Sequence, residues 1–374
     1  MLKQQWDIFC KIVDNFGDIG VCWRLAKQLH VEHGLQISLW IDDLNAAKKI
    51  IPQLDIALNQ QIFDEITVLK WHAGADFTNT ADVVVEAFAC ELPSVYIKAM
   101  AKKKSKWINL EYLSAESWVA HFHAKSSPQA NGLTRYFYFP GFTEATGGLI
   151  RESLACAQDE RSVLEETQLP TVRPELVEGH GALKISLFCY PNAPVHDLLT
   201  ALQANQNKVV VYIPASGILP KVAEFFGKNN IQIGEKITKN NLTVQVLPFL
   251  SQADYDQLLR ECDLNFVRGE DSWVRAIWAG KPFIWQPYFQ DENTHIKKLD
   301  AFLSLFYANF DAKKSVFKMH ADWTGERLST PVWRDYSNHF TDIADYTLQQ
   351  SQQLAKQADL ATKLVNFCHN IAQT

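Results

Sequence analysis

The chain has 374 residues with 47% hydrophobic content, which is longer than one hydrophobic core usually serves and predicts two domains. Its formal net charge of −6, from 36 basic against 42 acidic residues with no long basic tract, argues against a protein that binds nucleic acid directly. The seven cysteines show no C-x-x-C spacing, so we expect reduced thiols. The sequence shows no signal-peptide pattern and no apolar run of membrane-spanning length, so we expect a cytoplasmic location and no membrane contact.

An alternation of strands and helices opens the chain. Residues 6–13 form a predicted strand, a loop with two glycines follows, and apolar residues recur at helical spacing from Val21 to Leu29. The loop does not match the dinucleotide fingerprint, and the chain contains no Walker A pattern. Further strands are predicted at 36–41, 66–71, 83–88 and 107–113. The first predicted domain, 1–175, is therefore a parallel sheet with helices on both faces.

A second domain follows a cluster of prolines and glycines between 170 and 181, which is typical of a domain boundary. The alternation then restarts, with predicted strands at 183–190, 209–214, 242–247, 264–267 and 283–285 and predicted helices at 195–204, 220–226 and 252–262. The second predicted domain, 182–335, is thus also a doubly wound α/β domain. Residues 336–374 are predicted to form a helical tail.

The segment from Asp263 to Tyr288 carries the clearest functional pattern of the second domain. A buried strand breaks at Gly269, a helix is predicted to begin with Ser272 as its cap, and Gly280 ends it before the next strand. In parallel sheets, ligands bind beyond the carboxyl ends of the strands, often at a helix amino terminus that suits a phosphate. The turn from Arg268 to Ser272 is therefore either a phosphate site that places Glu270 beside the group carrying the phosphate, or a tight turn with a solvated acidic pair.

Acidic side chains occur on one such turn in each predicted domain, with Asp14 and Asp18 in the first and Glu270 and Asp271 in the second. Carboxylates there could ligate a divalent metal, act as a general base, or bind a cationic acceptor. The residue pattern alone leaves these three roles open. Aromatic residues at the predicted strand ends are either core or a stacking surface for a nucleobase; these residues are Phe188, Tyr190, Phe249 and Tyr288.

Four segments together resemble a known family: DNFGDIGVCWRLA, LFCYPN, LPFLSQADYDQLL and RGEDSWVRAIWAGKPFIWQPY. They are similar to the EarP family, bacterial protein-arginine rhamnosyltransferases that modify elongation factor P, over nearly the whole chain. The resemblance implies a GT-B fold of two Rossmann-like domains facing a central cleft. It further implies transfer of rhamnose from dTDP-β-L-rhamnose to one arginine of elongation factor P, with inversion and without a metal.

The resemblance also implies roles for individual residues. Asp18 would be the general base, Asp14 would help to hold the acceptor, and Glu270 would be the third essential carboxylate. The backbone N–H groups of Glu270, Asp271 and Ser272 and the Tyr190 hydroxyl would bind the diphosphate, and Phe188, Phe249 and Gln252 would form the thymidine pocket. The nucleotide-sugar site would also include Asn15, Phe16, Gly17, Arg268 and Tyr288.

Two other functions fit the same sequence. One is a GT-B glycosyltransferase that uses another nucleotide sugar and a small-molecule or lipid acceptor, although no basic amphipathic helix for a membrane surface is evident. The other is a nucleotide-binding module without turnover, which would keep its function after Asp18 is replaced.

Overall fold

The computed structural model describes residues 4–13, 16–72, 74–77, 79–153 and 181–371. Among these residues, 4–153 and 355–371 form one compact unit and 181–354 form the other. The tail predicted from residue 336 is therefore divided between the two units. Its residues up to 354 belong to the second unit, and those from 355 belong to the first. The sequence also predicts a helix in the charged run from Arg151 to Gln168. This run and the predicted boundary at 175–182 fall largely outside the described residues.

Strands and helices alternate through both units. The first unit begins with β1 (Gln5–Cys10), α1 (Gly17–His33), β2 (Gln36–Ile41), α2 (Leu44–Ile50), β3 (Gln60–Phe63), β4 (Ile66–Lys70), β5 (Val83–Ala87), α3 (Ser94–Lys103), β6 (Lys106–Leu110), α4 (Trp118–Phe122), β7 (Lys125–Pro128) and β8 (Thr134–Tyr138). The second contains β9 (Leu183–Leu187), α5 (Val195–Gln203), β10 (Val209–Pro214), α6 (Leu219–Phe225), β11 (Lys236–Lys239), β12 (Leu242–Leu247), α7 (Gln252–Glu261), β13 (Leu264–Arg268), α8 (Asp271–Ala279), β14 (Phe283–Gln286), α9 (Thr294–Phe306), α10 (Lys313–Thr324), α11 (Thr330–Asn338) and α12 (Phe340–Leu354). Helix α13 (Leu360–Asn370) returns to the first unit.

No helix in these described ranges is long and apolar enough to cross a membrane.

The described strands of the first unit form one sheet in the order β3-β4-β2-β1-β5-β6-β8-β7. Strands β4, β2, β1, β5, β6 and β8 are parallel, and counted in chain order they run 3-2-1-4-5-6, the order of a Rossmann fold. The predicted parallel sheet gains an antiparallel strand at each edge, because β3 and β7 pair antiparallel to their neighbours. The strand order reverses between β1 and β5, which makes that place the topological switch point.

Opposite faces of this sheet have separate cores. Ile8 and Cys10 of β1 pack with α1, α2 and α13 side chains on one face. Phe9 points to the other face, where it packs with Trp40 and with Tyr96 of α3. Because successive side chains of a strand alternate between faces, one short apolar strand supports helices on both sides.

The described strands of the second unit form a sheet in the order β11-β12-β10-β9-β13-β14. All pairs are parallel except β11 with β12 at the edge, and the parallel strands counted in chain order run 3-2-1-4-5. The switch point lies between β9 and β13. The end of α8 is as predicted, since Gly280 takes the left-handed conformation (φ 66°) that stops the helix.

Candidate active site

Asp18 lies at the switch point of the first sheet, in the first turn of α1, where the helix dipole favours a negative charge. The side chain is buried, with 2% of its surface exposed. Its Oδ2 atom accepts a hydrogen bond from the Val13 amide at 2.7 Å, and its Oδ1 atom accepts one from the Tyr112 hydroxyl at 3.3 Å. Both carboxylate oxygens are therefore held by the protein.

The other predicted residues of this loop fall into two groups. Asp14 and Asn15 lie outside the described residues. Phe16 is the N-cap residue of α1, its carbonyl accepts a hydrogen bond from the Gly20 amide at 2.9 Å, and Gly17 begins the helix. The fold thus brings Phe16, Gly17 and Asp18 to the amino end of one helix, and their roles with a ligand stay predictions.

The carboxylates of Asp42 and Asp18 accept hydrogen bonds from two consecutive backbone amides, those of Ile12 and Val13. Asp42 accepts a hydrogen bond from the Ile12 amide at 2.9 Å, next to the contact between Asp18 and Val13. A hydrogen bond with Cys22, together with burial, keeps the pKa of the Cys10 thiol well above its usual range, and Asp18 and Asp42 raise it further. Cys10 is therefore a neutral, buried side chain, which packs as a small hydrophobic residue.

In the second unit, the turn between β13 and α8 lies at the switch point of its sheet. Gly269 has φ 62°, and its carbonyl accepts a hydrogen bond from the Trp285 indole at 2.7 Å. The prediction that Ser272 caps the helix is wrong, because Glu270 is the N-cap residue and makes no side-chain capping hydrogen bond. The Ser272 hydroxyl instead accepts a hydrogen bond from the Arg268 amide at 3.1 Å and donates one to the Arg268 carbonyl. Ser272 thus closes the turn from inside the helix.

Arg268 connects the two strands that border this switch point. Its guanidinium lies 4.3 Å from the centre of the Phe188 ring and 4.7 Å from that of Tyr190. Its Nη1 atom donates a hydrogen bond to the Cys189 carbonyl at 3.2 Å. The contacts with the two rings are cation–π interactions, which fix the arginine and both aromatic side chains relative to one another.

The remaining predicted residues lie around this cluster. The Tyr288 ring meets the Tyr190 ring edge to face, with centres 5.8 Å apart. Phe249 is half-buried in the loop after β12, and Gln252 is buried at the start of α7. Phe188, Tyr190, Arg268 and Tyr288 are therefore joined by contacts, whereas Phe249 and Gln252 come from the loop after another strand of the same sheet.

Sequence reasoning missed two residues that support these side chains. Gln286, buried at the end of β14, accepts a hydrogen bond from the Tyr190 amide at 2.9 Å and donates one to Asn192 at 3.2 Å. Tyr255 packs edge to face on Phe188, with ring centres 5.6 Å apart, and burial raises its pKa. The only signal for Gln286 was a polar residue ending an otherwise apolar strand, FIWQ.

The prediction that no metal takes part stays a prediction. Within the parts of the chain that the structure describes, no three His, Cys, Asp or Glu side chains are placed to hold a metal ion. Asp14 lies outside those parts.

Comparison with known proteins identifies the family. A sequence profile of the Elongation-Factor P (EF-P) rhamnosyltransferase family, EarP, matches residues 6–369. The chain belongs to the EarP family. A protein-arginine rhamnosyltransferase of Pseudomonas putida is 43% identical over 377 residues, covering 99% of this chain and 100% of the relative. One of Shewanella oneidensis is 36% identical and covers 97% of both chains.

Solved structures agree with this assignment. The structure that explains EarP-mediated arginine glycosylation of translation elongation factor EF-P matches with a TM-score of 0.66 and 32% identity, over 99% of this chain and 100% of the other. The glycosyltransferase VinC in complex with dTDP matches with a TM-score of 0.56 at 11% identity, which shows the fold alone. The predicted EarP family, the GT-B fold and the assignment as a glycosyltransferase enzyme are confirmed.

Proposed function

We propose that this EarP-family chain transfers rhamnose from dTDP-β-L-rhamnose to an arginine side chain of elongation factor P, with inversion and without a metal, in the cytoplasm. The observation that carries the proposal is that each unit places one predicted acidic residue at the switch point of its own sheet. Asp18 does so in the first unit and Glu270 in the second. We assign the acceptor arginine mainly to the first unit and the dTDP group of the donor to the second.

The reaction first requires that the acceptor arginine lose a proton. A guanidinium is protonated at ordinary pH, so it is a poor nucleophile until a base takes a proton from the attacking nitrogen. Asp18 supplies a carboxylate whose orientation is fixed on both oxygens. As the bond between the anomeric carbon and the arginine nitrogen forms, the nitrogen proton passes to Asp18.

The reaction also requires that the negative charge on the leaving dTDP be stabilised. The bond between the anomeric carbon and the diphosphate oxygen breaks, and its electron pair stays on dTDP, whose negative charge increases. The amino end of α8 and the positive charge of Arg268 lie at the switch point where that charge would accumulate. Attack from the face opposite the leaving group inverts the anomeric carbon.

Turnover is expected to survive an excess of EDTA, because backbone dipoles and Arg268 stabilise the leaving diphosphate in this scheme. The measurement is the initial rate of elongation factor P modification with and without the chelator. A rate that collapses in EDTA and returns with magnesium would show that the carboxylates hold a metal.

Phe249→Ala is expected to weaken dTDP binding by about 1 to 3 kcal/mol, the range for stacking of a base on an aromatic ring. Isothermal titration calorimetry measures this directly. Phe122→Ala is the control, since this exposed phenylalanine belongs to the first unit and its removal should leave dTDP affinity unchanged. Unchanged affinity in a folded Phe249→Ala variant would assign Phe249 to packing instead.

The function itself is tested by incubating the purified chain with elongation factor P and dTDP-rhamnose and measuring the intact mass of the acceptor. The proposal expects the mass to rise by one deoxyhexose and dTDP to be released in equal amount. A reaction that uses another nucleotide sugar, or a small molecule or lipid as acceptor, would assign the chain to a different GT-B activity. Binding of dTDP with no transfer to elongation factor P would indicate a module without turnover.

A further inference from the structure

Tyr112, a residue without a predicted role, contacts the proposed general base. The Asp18 Oδ1 atom accepts its hydrogen bond at 3.3 Å. The Tyr112 ring stacks on the Phe88 ring, with centres 4.4 Å apart and planes 14° from parallel. The hydroxyl is therefore held toward Asp18 by a side chain that follows another strand of the sheet, β5.

The backbone around this pair is fixed as well. Phe88 directly follows β5 at the switch point and has φ 57°, a conformation that non-glycine residues seldom adopt. Its amide donates a hydrogen bond to the Leu110 carbonyl at 2.7 Å, and the Glu111 amide donates one to the Tyr138 carbonyl at 2.9 Å. The β5 and β6 ends that carry Phe88 and Tyr112 are thus both anchored within the sheet.

The two oxygens of Asp18 differ in what their partners can do. The Val13 amide on Oδ2 can only donate a hydrogen bond, so it favours an oxygen without a proton. The Tyr112 hydroxyl on Oδ1 can donate to the carboxylate before proton transfer and accept from the carboxylic acid after it. Of these two contacts, the one at Oδ1 is compatible with both protonation states.

We propose that Tyr112 is a positioning residue for the transfer reaction, which assigns Asp18 Oδ1 as the atom that receives the arginine proton. The inference rests on the proposed function, because it takes Asp18 to be the base. In the Michaelis complex the Tyr112 hydroxyl donates to Oδ1, and after the C–N bond forms the protonated Oδ1 donates to the Tyr112 oxygen. Oδ2 keeps its contact with Val13 throughout.

Other titratable groups surround Asp18, and the test must separate their effects. In the described residues, the Cys10 thiol interacts electrostatically with Asp18 and is hydrogen-bonded to Cys22, and the Asp42 carboxylate holds the neighbouring Ile12 amide. A Tyr112→Phe substitution leaves these groups in place. It also keeps the ring that stacks on Phe88 and removes only the hydroxyl.

For Tyr112→Phe we expect single-turnover transfer to fall about three- to thirtyfold at the optimal pH, with the KM for elongation factor P unchanged within about twofold. The acidic limb of the pH–rate profile should move to higher pH, because Asp18 loses a donor that favours its ionised form. The matched control is Tyr136→Phe on β8, whose ring packs against Phe367, and it should retain the parent rate and profile. Thermal unfolding of both variants verifies that they are folded.

An unchanged rate and an unmoved acidic limb in Tyr112→Phe would overturn the inference. A raised KM with unchanged kcat would also overturn it, because Tyr112 would then contact the acceptor. If the parent enzyme leaves elongation factor P unmodified, the proposed function fails. The contact between Tyr112 and Asp18 can then be tested without turnover, by carbon-13 NMR titration of labelled aspartate carboxylates.

In that titration the Asp18 resonance is assigned by its loss in Asp18→Asn. It should titrate at higher pH in Tyr112→Phe, and an unshifted midpoint would refute the contact.

Discussion

Asp18→Asn should lower single-turnover transfer to elongation factor P by about 10²- to 10⁴-fold, the range for losing a general base. The higher end is expected because a guanidinium that keeps its proton is hardly nucleophilic. Asparagine retains the size of the side chain and an oxygen that can accept from the Val13 amide, so the loop and α1 should keep their structure. Affinity for dTDP should stay near that of the parent, since the donor is assigned to the second unit.

Asp42→Asn is the matched control for this experiment. Asp42 holds the Ile12 amide as Asp18 holds the Val13 amide, so both substitutions disturb the same stretch of backbone. Transfer by Asp42→Asn should remain within a few-fold of the parent. Equal losses in the two variants would mean that the loop needs its carboxylates for structure, and an active Asp18→Asn enzyme would remove Asp18 from the mechanism.

Trp273→Ala should lower the free energy of unfolding of the second unit by about 3 to 5 kcal/mol, the range for truncating a buried large aromatic side chain. Trp273 is 1% exposed. Its ring stacks on Trp285 with centres 3.6 Å apart and meets Phe302 edge to face at 4.7 Å. Its loss leaves a cavity beneath the turn that carries Glu270. Urea unfolding followed by a probe specific to the second unit measures the effect, because two units need not unfold together.

Trp118→Ala is the control for that measurement. Trp118 begins the short helix α4 in the first unit and is 42% exposed, so its removal should cost less than about 1 kcal/mol. A loss in Trp273→Ala no larger than this would show that the tryptophan stack does not support the turn between β13 and α8.

Central strands of both sheets were predictable because they are buried on both faces and therefore form short continuous apolar runs. Their ends were less certain. The first strand was predicted to reach Val13 but ends at Cys10, although Ile12 and Val13 are apolar. Their amides bond to Asp42 and Asp18, so the chain leaves the sheet. Apolar character alone does not reveal that a backbone group has a side-chain partner.

The edge strands were missed for a different physical reason. The sequences QQIF and KSSP, which form β3 and β7, are mostly polar and exposed, and only pairing with β4 and β8 makes them strands. That pairing gains its stability from backbone hydrogen bonds and cross-strand neighbours, which a local pattern does not record.

The residues of the candidate site also differ in how far local sequence predicts them. Asp18 and Glu270 were predicted from local motifs, because each lies where a strand passes through a short turn into a helix. Tyr112 and Gln286 were not, because the Tyr112 contact with Asp18 spans 94 residues and the Gln286 contact with Tyr190 spans 96. The fold creates these contacts near the switch points, where residues distant in sequence come together at the ends of nearby strands.

The most direct test of the account is to locate the transferred sugar. Elongation factor P would be incubated with the chain and dTDP-rhamnose, digested, and fragmented by mass spectrometry under conditions that keep the glycosidic bond. The account predicts one deoxyhexose on an arginine side chain, absent when Asp18→Asn replaces the parent over the same time. A sugar on any other residue, or an acceptor whose mass never changes, would contradict it.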